Sequence, residues 1–111
     1  MHILKEPDDF IGTPFDADSF HCWTLVEKCL DVPTLHGISV SRAEENINDN
    51  LPYFLERENP LNYCIVMLGK KHVGIYKDGN VYHADRDMVK CQPLRVLSRL
   101  YNPIKYYDKV D

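Results

Sequence analysis

The stretch that decides the fold is HVGIYKDGNVYHAD, residues 72–85. Apolar residues alternate with other residues on both sides of Asp78-Gly79, and Asp-Gly in that setting is a strong β-hairpin signal. A two-residue turn at Asp78 and Gly79 pairs Lys77 with Asn80. The stretch therefore predicts two antiparallel strands joined by a tight turn.

The register of this hairpin predicts that two histidines meet on one face of the sheet. Counting outward from the turn pairs Gly74 with His83 and His72 with Asp85, and side chains alternate between faces along a strand. His72 and His83 are then diagonal neighbours, roughly 7–8 Å apart at the backbone. Tyr76 shares their face, and Gly74 leaves space opposite His83. The alternative is a pair of half-exposed histidines on a solvated sheet, and a slipped register would separate them.

The segments on either side of the hairpin indicate more strands. The apolar run NYCIVML (62–68) predicts one strand and MVKCQ (88–92) predicts another, while RVLSRLYNPIKYY (95–107) closes the domain. The polar stretch LERENPLN (55–62) is interpreted as a connection between elements. These segments place an antiparallel sheet in the second half of the chain.

Two helices are predicted before the sheet. DSFHCWTLVEKCL (18–30) has an apolar stripe at helical spacing, with Asp18 or Ser19 as the N-cap. A second helix is predicted from Ser41, because Ser41-Arg-Ala-Glu44 has the spacing of a capping box. Helices followed by an antiparallel sheet indicate an α+β fold.

Composition indicates a single globular domain. The 111 residues, 44% hydrophobic and 27% charged, are enough for one core and too few for two. No apolar run is long enough for a membrane span, and a net charge of −4 with scattered basic residues argues against nucleic-acid binding. The first residues do not have the pattern of a signal peptide, so synthesis in the cytoplasm is expected. One domain over 1–111 is predicted, with an irregular arm over 1–17.

Cysteine usage singles out Cys22. The other three, Cys29, Cys64 and Cys91, lie in apolar segments and are expected to be buried thiols, since no CxxC or disulfide pattern is present. Cys22 falls in the first turn of a predicted helix, where the dipole and free N–H groups favour a thiolate and could hold an oxyanion.

Cys22, His72 and His83 supply a nucleophile, a base and a group that orients the base. Asp85 is a rival orienter, because the predicted register places a carboxylate opposite His72. A metal site made of His72, His83 and Asp85 is a third interpretation, although no fourth ligand has convincing spacing.

Four residues are predicted to bind the substrate. They are Asp85 and three residues expected to line a groove, His21, Trp23 and Tyr76. His21 precedes Cys22 but would point in a different direction from it on a helix start, so it is predicted as a groove residue rather than as the base. Trp23 and Tyr76 are the two aromatic candidates. Ordinary packing in the core is the alternative for both aromatic residues.

At this point the sequence resembles the NlpC-like cysteine peptidases. GTPFDADSFHCWTLV (12–26) is similar to the nucleophile motif of that family, in the short form found in phage tail assembly proteins. HVGIYKDGNVYHAD (72–85) is similar to the base motif, and NYCIVML and RLYNPIKYY also fit the phage-type pattern. The similarity covers roughly residues 10–107. The family position before the cysteine is often aspartate where this chain has His21, and cell-wall relatives carry a tyrosine where it has Phe15.

The resemblance implies a papain-like α+β core in which the cysteine heads a helix packed on an antiparallel sheet. By position, Cys22 would be the nucleophile, His72 the base and His83 the third polar residue, with no metal or organic cofactor. The implied substrates are peptide stems of bacterial peptidoglycan, cut between D-glutamate and diaminopimelate or lysine. A phage tail-associated hydrolase, with tail proteins as partners and a virion or prophage setting, is the implied context. The alternatives are a thiol hydrolase of another amide or thioester, and an inactive structural or binding tail module.

Overall fold

The computed structural model describes residues 3–16, 20–30, 54–70 and 72–109, which form a small α+β domain. The two helices in this part of the chain are α1 (Cys22–Cys29) and α2 (Leu94–Leu100). The six strands are β1 (Phe54–Arg57), β2 (Ile65–Leu68), β3 (His72–Lys77), β4 (Asn80–Ala84), β5 (Val89–Pro93) and β6 (Ile104–Lys109). The predicted α+β class is confirmed. The second helix, predicted from Ser41, lies outside the described residues.

The strands form one antiparallel sheet in the order β1-β6-β2-β3-β4-β5. The predicted strands at 62–68 and 88–92 correspond to β2 and β5, with boundaries shifted by a few residues. The closing segment contributes a helix, α2, and then β6, which returns to pair between β1 and β2. None of the helices in the described ranges is long and apolar enough to cross a membrane.

The register predicted for the β3–β4 hairpin is confirmed from its turn to Gly74, which pairs with His83. Asp78 and Gly79 have φ values of 51° and 85°, and a type I′ turn needs positive φ at both positions. The predicted pairing of His72 with Asp85 does not form part of the ladder, because β4 ends at Ala84.

The interpretation of residues 55–62 as a connection is wrong for its first residues, which belong to β1. In this strand Phe54 is buried while Leu55 and Glu56 are exposed. A strand at the edge of a sheet can keep polar and charged side chains in water, so its sequence resembles that of a loop. A salt bridge of 3.1 Å between Arg57 Nε and Asp108 Oδ2 links β1 to β6.

The sheet carries a hydrophobic cluster on each face, which follows from the period-two alternation of its strands. On one face α1 packs against β3 and β4, with Trp23, Leu25 and Val26 buried in the same cluster as Val73 and Ile75. The second cluster is formed by Cys64, Val66, Leu68, Val81 and Leu97. Because the residues of β3 alternate, His72 lies on the face opposite to Val73.

The start of α1 differs from the prediction in its capping residue. The N-cap position is His21, whereas the predicted caps, Asp18 and Ser19, lie outside the described residues. The backbone N–H of His21 donates to Thr24 Oγ1 at 3.3 Å. Cys22 is therefore the first residue of the helix, which agrees with its predicted place in the first turn.

The described part of the N-terminal arm is attached to the domain at several points. It contains a 3-10 turn over Pro7–Phe10, and Leu4 N–H bonds to the carbonyl of Cys29 at 2.7 Å. Acidic side chains of the arm meet the β3–β4 hairpin, where Asp8 pairs with Lys77 at 2.7 Å and accepts a hydrogen bond from the Tyr82 hydroxyl. The described residues of the arm are thus held to α1 and to the sheet.

Candidate active site

Cys22 lies where the start of α1 meets the start of β3. Its side chain is buried, and the backbone N–H groups of Val73, Trp23 and Cys22 lie close enough to its sulfur to act against the rise in its pKa. Val73 directly follows His72 in β3. The thiol is therefore next to the peptide group that joins Val73 to His72, the residue predicted from the sequence as its base.

Burial determines the charge state of the thiol and the imidazole. It raises the pKa of Cys22 to about 11, although the three backbone N–H groups act in the opposite direction. Burial and, to a smaller extent, the neighbouring His83 together lower the pKa of His72 to about 4. The resting site thus holds a neutral thiol and a neutral imidazole. The helix start favours the thiolate, as expected from the sequence, but the cost of burying a charge outweighs that preference.

The predicted meeting of the two histidines is confirmed. His72 Nε2 lies 2.7 Å from His83 Nδ1, and the two rings are nearly perpendicular, with an interplanar angle of 82°. His83 is 1% exposed. Burial lowers its pKa, as it does for His72. The two residues form a hydrogen-bonded pair in which His83 is buried and His72 is partly buried.

Two contacts that hold the histidine pair were missed by the sequence analysis. His83 Nε2 lies 2.6 Å from Gln92 Oε1 in β5. The ring of Tyr101, the residue that follows α2, stacks on His72 with centroids 5.8 Å apart and planes at 25°. Gln92 pairs with Val81, which shares a face with His83, so the β4–β5 register could have found it. No pattern in the sequence indicates the position of Tyr101.

Gly74 is required by the close packing around His83. A Cβ at this position would lie 2.6 Å from the carbonyl oxygen of Tyr82, 2.8 Å from Val81 Cγ1 and 3.1 Å from His83 Cβ. The sequence predicts open space opposite His83. That space is instead filled by β4, and only a residue without a side chain fits there.

Asp85, the rival orienter, has other partners. Its carboxylate accepts a hydrogen bond from the backbone N–H of Arg86 at 2.9 Å and pairs with Lys90 Nζ at 3.3 Å. The carboxylate still acts on the histidines through space, because it raises the pKa of both His72 and His83. The direct hydrogen-bond partner of His72 is His83.

The predicted groove residues lie in different surroundings. Trp23 is 1% exposed and packs edge-on against Phe54, with ring centroids 6.4 Å apart. Tyr76 is half-buried beside the second hydrophobic cluster. His21 is buried at the helix start, and neither its Nδ1 nor Trp23 Nε1 has a hydrogen-bond partner in the described part of the structure. Packing accounts for Trp23 and Tyr76, while His21 places an unpaired nitrogen beside Cys22 in the chain.

The metal interpretation is not supported by the geometry. Within residues 3–16, 20–30, 54–70 and 72–109, no group of three or more His, Cys, Asp or Glu side chains is arranged to hold a metal ion. His72 and His83 instead direct ring nitrogens at each other, and Asp85 pairs with Lys90. In the structure these groups form a hydrogen bond and an ion pair.

Comparison of the chain with protein-family models, curated proteins and solved structures found no match. What the site can do is therefore inferred from its own chemistry. It has a thiol at a helix N-terminus, beside the backbone N–H of Val73, and a neutral imidazole on the preceding residue, His72, which is bonded to a second imidazole. These groups are the parts of a nucleophile, base and orienter set.

Proposed function

We propose that this protein is a cysteine hydrolase that cleaves amide bonds in the peptide stems of bacterial peptidoglycan. The observation that carries the proposal is the 2.7 Å hydrogen bond between His72 and His83. His72 directly precedes Val73, the residue of β3 whose backbone N–H lies near the Cys22 sulfur. The substrate class rests on the resemblance of residues 12–26 and 72–85 to NlpC-like peptidases. A papain-like core and a phage tail setting belong to the same proposal.

In the proposed reaction, neutral His72 removes the thiol proton while the sulfur of Cys22 attacks the carbonyl carbon of the scissile amide. A C–S bond forms, and the carbonyl π electrons move to the oxygen. The backbone N–H groups at the start of α1 are suited to stabilise this oxyanion. When the intermediate collapses, the C–N bond breaks and protonated His72 gives its proton to the leaving amine. The product bound to the enzyme is a thioester.

Water completes the cycle. His72 removes a proton from a water molecule as the water oxygen attacks the thioester carbonyl carbon. The C–S bond then breaks, the proton returns to the sulfur, and the carboxylic acid product leaves. No metal or organic cofactor takes part in these steps.

The pKa directions favour a general-base mechanism over a preformed ion pair. A histidine with a pKa near 4 is neutral at physiological pH and a thiol with a pKa near 11 is protonated there, so no ion pair is preformed and proton transfer between them is uphill in the resting site. Proton transfer is then coupled to attack on the substrate. General-base catalysis of this kind contributes roughly 10²–10⁴-fold to the rate.

A second candidate is an inactive structural or binding module of the same fold. It is favoured by the burial of Cys22, which is 1% exposed, and by its raised pKa, since reactive cysteines are usually accessible and have lowered pKa values. A hydrolase of another amide or a thioester would use the same three residues on a different substrate.

A panel of defined peptides tests the proposal and separates these candidates. It contains L-Ala-γ-D-Glu-diaminopimelate, its lysine analogue, an α-linked L-Glu-Lys control and a simple thioester, each analysed by mass spectrometry. Selective cleavage of the γ-linked peptides supports the proposed function. If only the α-linked control or only the thioester is cleaved, the protein is a hydrolase of another substrate class. Hydrolysis of none of the four would contradict the enzyme proposal and favour the binding module.

A further inference from the structure

We infer that Gln92 is a positioning residue of this site, which sets the protonated nitrogen of His83 and, through it, that of His72. The inference rests on the proposed role of His72 as the base, and it extends the hydrogen-bonded set from two histidines to three residues. Gln92 does not touch the thiol. It acts by determining which nitrogen of His72 is free to accept a proton.

The geometry consists of two consecutive short hydrogen bonds. Gln92 Oε1 lies 2.6 Å from His83 Nε2, and His83 Nδ1 lies 2.7 Å from His72 Nε2. Both distances are within hydrogen-bond reach, and the bond to Gln92 is shorter than the usual range of about 2.7–3.2 Å for N–H···O bonds. All four atoms therefore have definite donor or acceptor roles, which follow from the chemistry of the groups.

The carboxamide oxygen of Gln92 can only accept, so the hydrogen must be on Nε2 of His83. A neutral imidazole carries one N–H, and burial lowers the pKa of His83, which keeps it neutral. Its Nδ1 is then an acceptor, and Nε2 of His72 must be the donor. Neutral His72 consequently has an unprotonated Nδ1, the form that a base needs.

The opposite orientation of the Gln92 side chain would reverse every step. With its NH₂ group toward His83, Gln92 would donate to Nε2 of His83, so the ring hydrogen of His83 would be on Nδ1. That Nδ1 would then donate to Nε2 of His72, and the ring hydrogen of His72 would be on Nδ1. A protonated Nδ1 cannot accept the thiol proton. The identity and orientation of one side chain in β5 thus decide whether His72 can act as a base.

The charged side chains near the two histidines do not determine which ring nitrogen of His83 carries the hydrogen. Asp85 and Lys90 are the charged groups that influence His83, and they pair with each other at 3.3 Å. Asp85 raises the pKa of His83, and Lys90 lowers it. In the described structure, the hydrogen-bond partner of His83 Nε2 is Gln92, not Asp85 or Lys90.

The test is ¹⁵N NMR of histidine-labelled protein at pH 7, with two variants of Gln92 compared with wild type. Two-bond couplings between ring nitrogens and carbon-bound protons distinguish the Nδ1–H and Nε2–H forms. We expect wild type to show Nε2–H on both His72 and His83. An Nδ1–H form of His72 in wild type would overturn the inference at once, without any substrate.

The variants separate positioning from simple packing. Gln92→Leu removes the acceptor, and we expect mixed forms of both histidines with a kcat roughly tenfold lower and a KM changed by less than about twofold. Gln92→Glu keeps an acceptor at the same place, so it should restore the Nε2–H pattern and most of the lost kcat. Unchanged histidine forms in Gln92→Leu would contradict the inference.

Failure of this inference and failure of the proposed function give different results. If the histidine forms respond to Gln92 but no peptide is cleaved, Gln92 positions the pair and the function is wrong. If wild type cleaves peptides and Gln92→Leu does so equally well, the function stands and the positioning role is wrong. If Gln92→Leu does not fold, wild type and Gln92→Glu decide the question, because both must show His72 with a free Nδ1.

Discussion

His72 Nε2 lies 2.7 Å from His83 Nδ1, although the two residues are 11 positions apart and belong to different strands. The bond exists because a two-residue turn sets the register of β3 and β4, so that Gly74 faces His83 and His72 is its diagonal neighbour. It fixes the orientation of the proposed base. A variant of His83 that lacks this hydrogen bond therefore tests the role of His83 directly.

Replacement of His83 should lower turnover far more than replacement of Asp85. His83→Ala removes the direct partner of His72 and should reduce kcat by roughly 10²–10⁴-fold, the range expected when a general base loses its orienting group. Asp85→Ala removes a carboxylate that already pairs with Lys90, and its effect should stay within about threefold. Steady-state kinetics on the cleaved peptide provide the measurement. Equal effects of the two changes, or a larger one at Asp85, would assign the orienting role to Asp85.

Acidification should destabilise the folded protein between about pH 6.5 and about pH 4. The pKa of His72 falls from 6.5 to about 4 on folding, so within this window the unfolded state binds more protons and stability is lost as the pH falls. Between pH 7.5 and pH 5 the loss from this residue is about 2 kcal/mol. Asp8, whose pKa is lowered from 3.8, adds its own loss only at lower pH.

His72→Gln tests this assignment, because glutamine does not titrate. Urea unfolding at pH 7.5 and pH 5 should show a smaller loss of stability in the variant, by about 2 kcal/mol. His83 and His21, whose pKa values are also lowered by burial, account for the loss that remains. An identical loss in wild type and variant would show that His72 is not buried in its neutral form.

Gly74→Ala should disturb both stability and the histidine pair. The added Cβ would meet the backbone oxygen of Tyr82 at 2.6 Å, and backbone atoms cannot move aside as a flexible side chain can. Overpacking of this kind costs about 1–3 kcal/mol. The strands must separate locally, which moves His83 away from His72, so we expect kcat to fall roughly tenfold as well.

Gly12→Ala is the matched control for this change. Gly12 has a φ of 86°, and a Cβ added to it would meet no atom within 4 Å, so alanine introduces backbone strain without a clash. It should lower the unfolding free energy, measured in urea, while leaving kcat near its wild-type value. A Gly74→Ala variant that loses stability but keeps its full kcat would show that the spacing of β3 and β4 does not control the site.

Local sequence signals were sufficient for the parts of the site that lie on one hairpin. Asp78-Gly79 fixed the turn, the alternation of β3 and β4 placed His72 and His83 on one face, and the apolar stripe of α1 placed Cys22 at a helix start. These inferences need only neighbouring residues and the period of each element. They agree with the structure at the level of register and position.

The parts that sequence reasoning missed depend on contacts distant in the chain. Gln92 and Tyr101 reach the histidines only after β5 and α2 are folded against the hairpin. The polar strand β1 resembles a loop because its stabilising partner, β6, follows about 50 residues later. The raised pKa of Cys22 has the same origin, since burial is produced by the whole fold and opposes the local effect of the helix start.

The most direct measurement is cleavage of purified peptidoglycan stem peptides by wild type, Cys22→Ala and His72→Ala, followed by mass spectrometry of the products. Wild type should release a new amine at the bond after D-glutamate. Cys22→Ala should lose activity by roughly 10³-fold or more, and His72→Ala by roughly 10²–10⁴-fold. Absence of cleavage by wild type, or cleavage by Cys22→Ala at the wild-type rate, would contradict the assignment of Cys22 and His72 as the nucleophile and base of a peptidoglycan hydrolase.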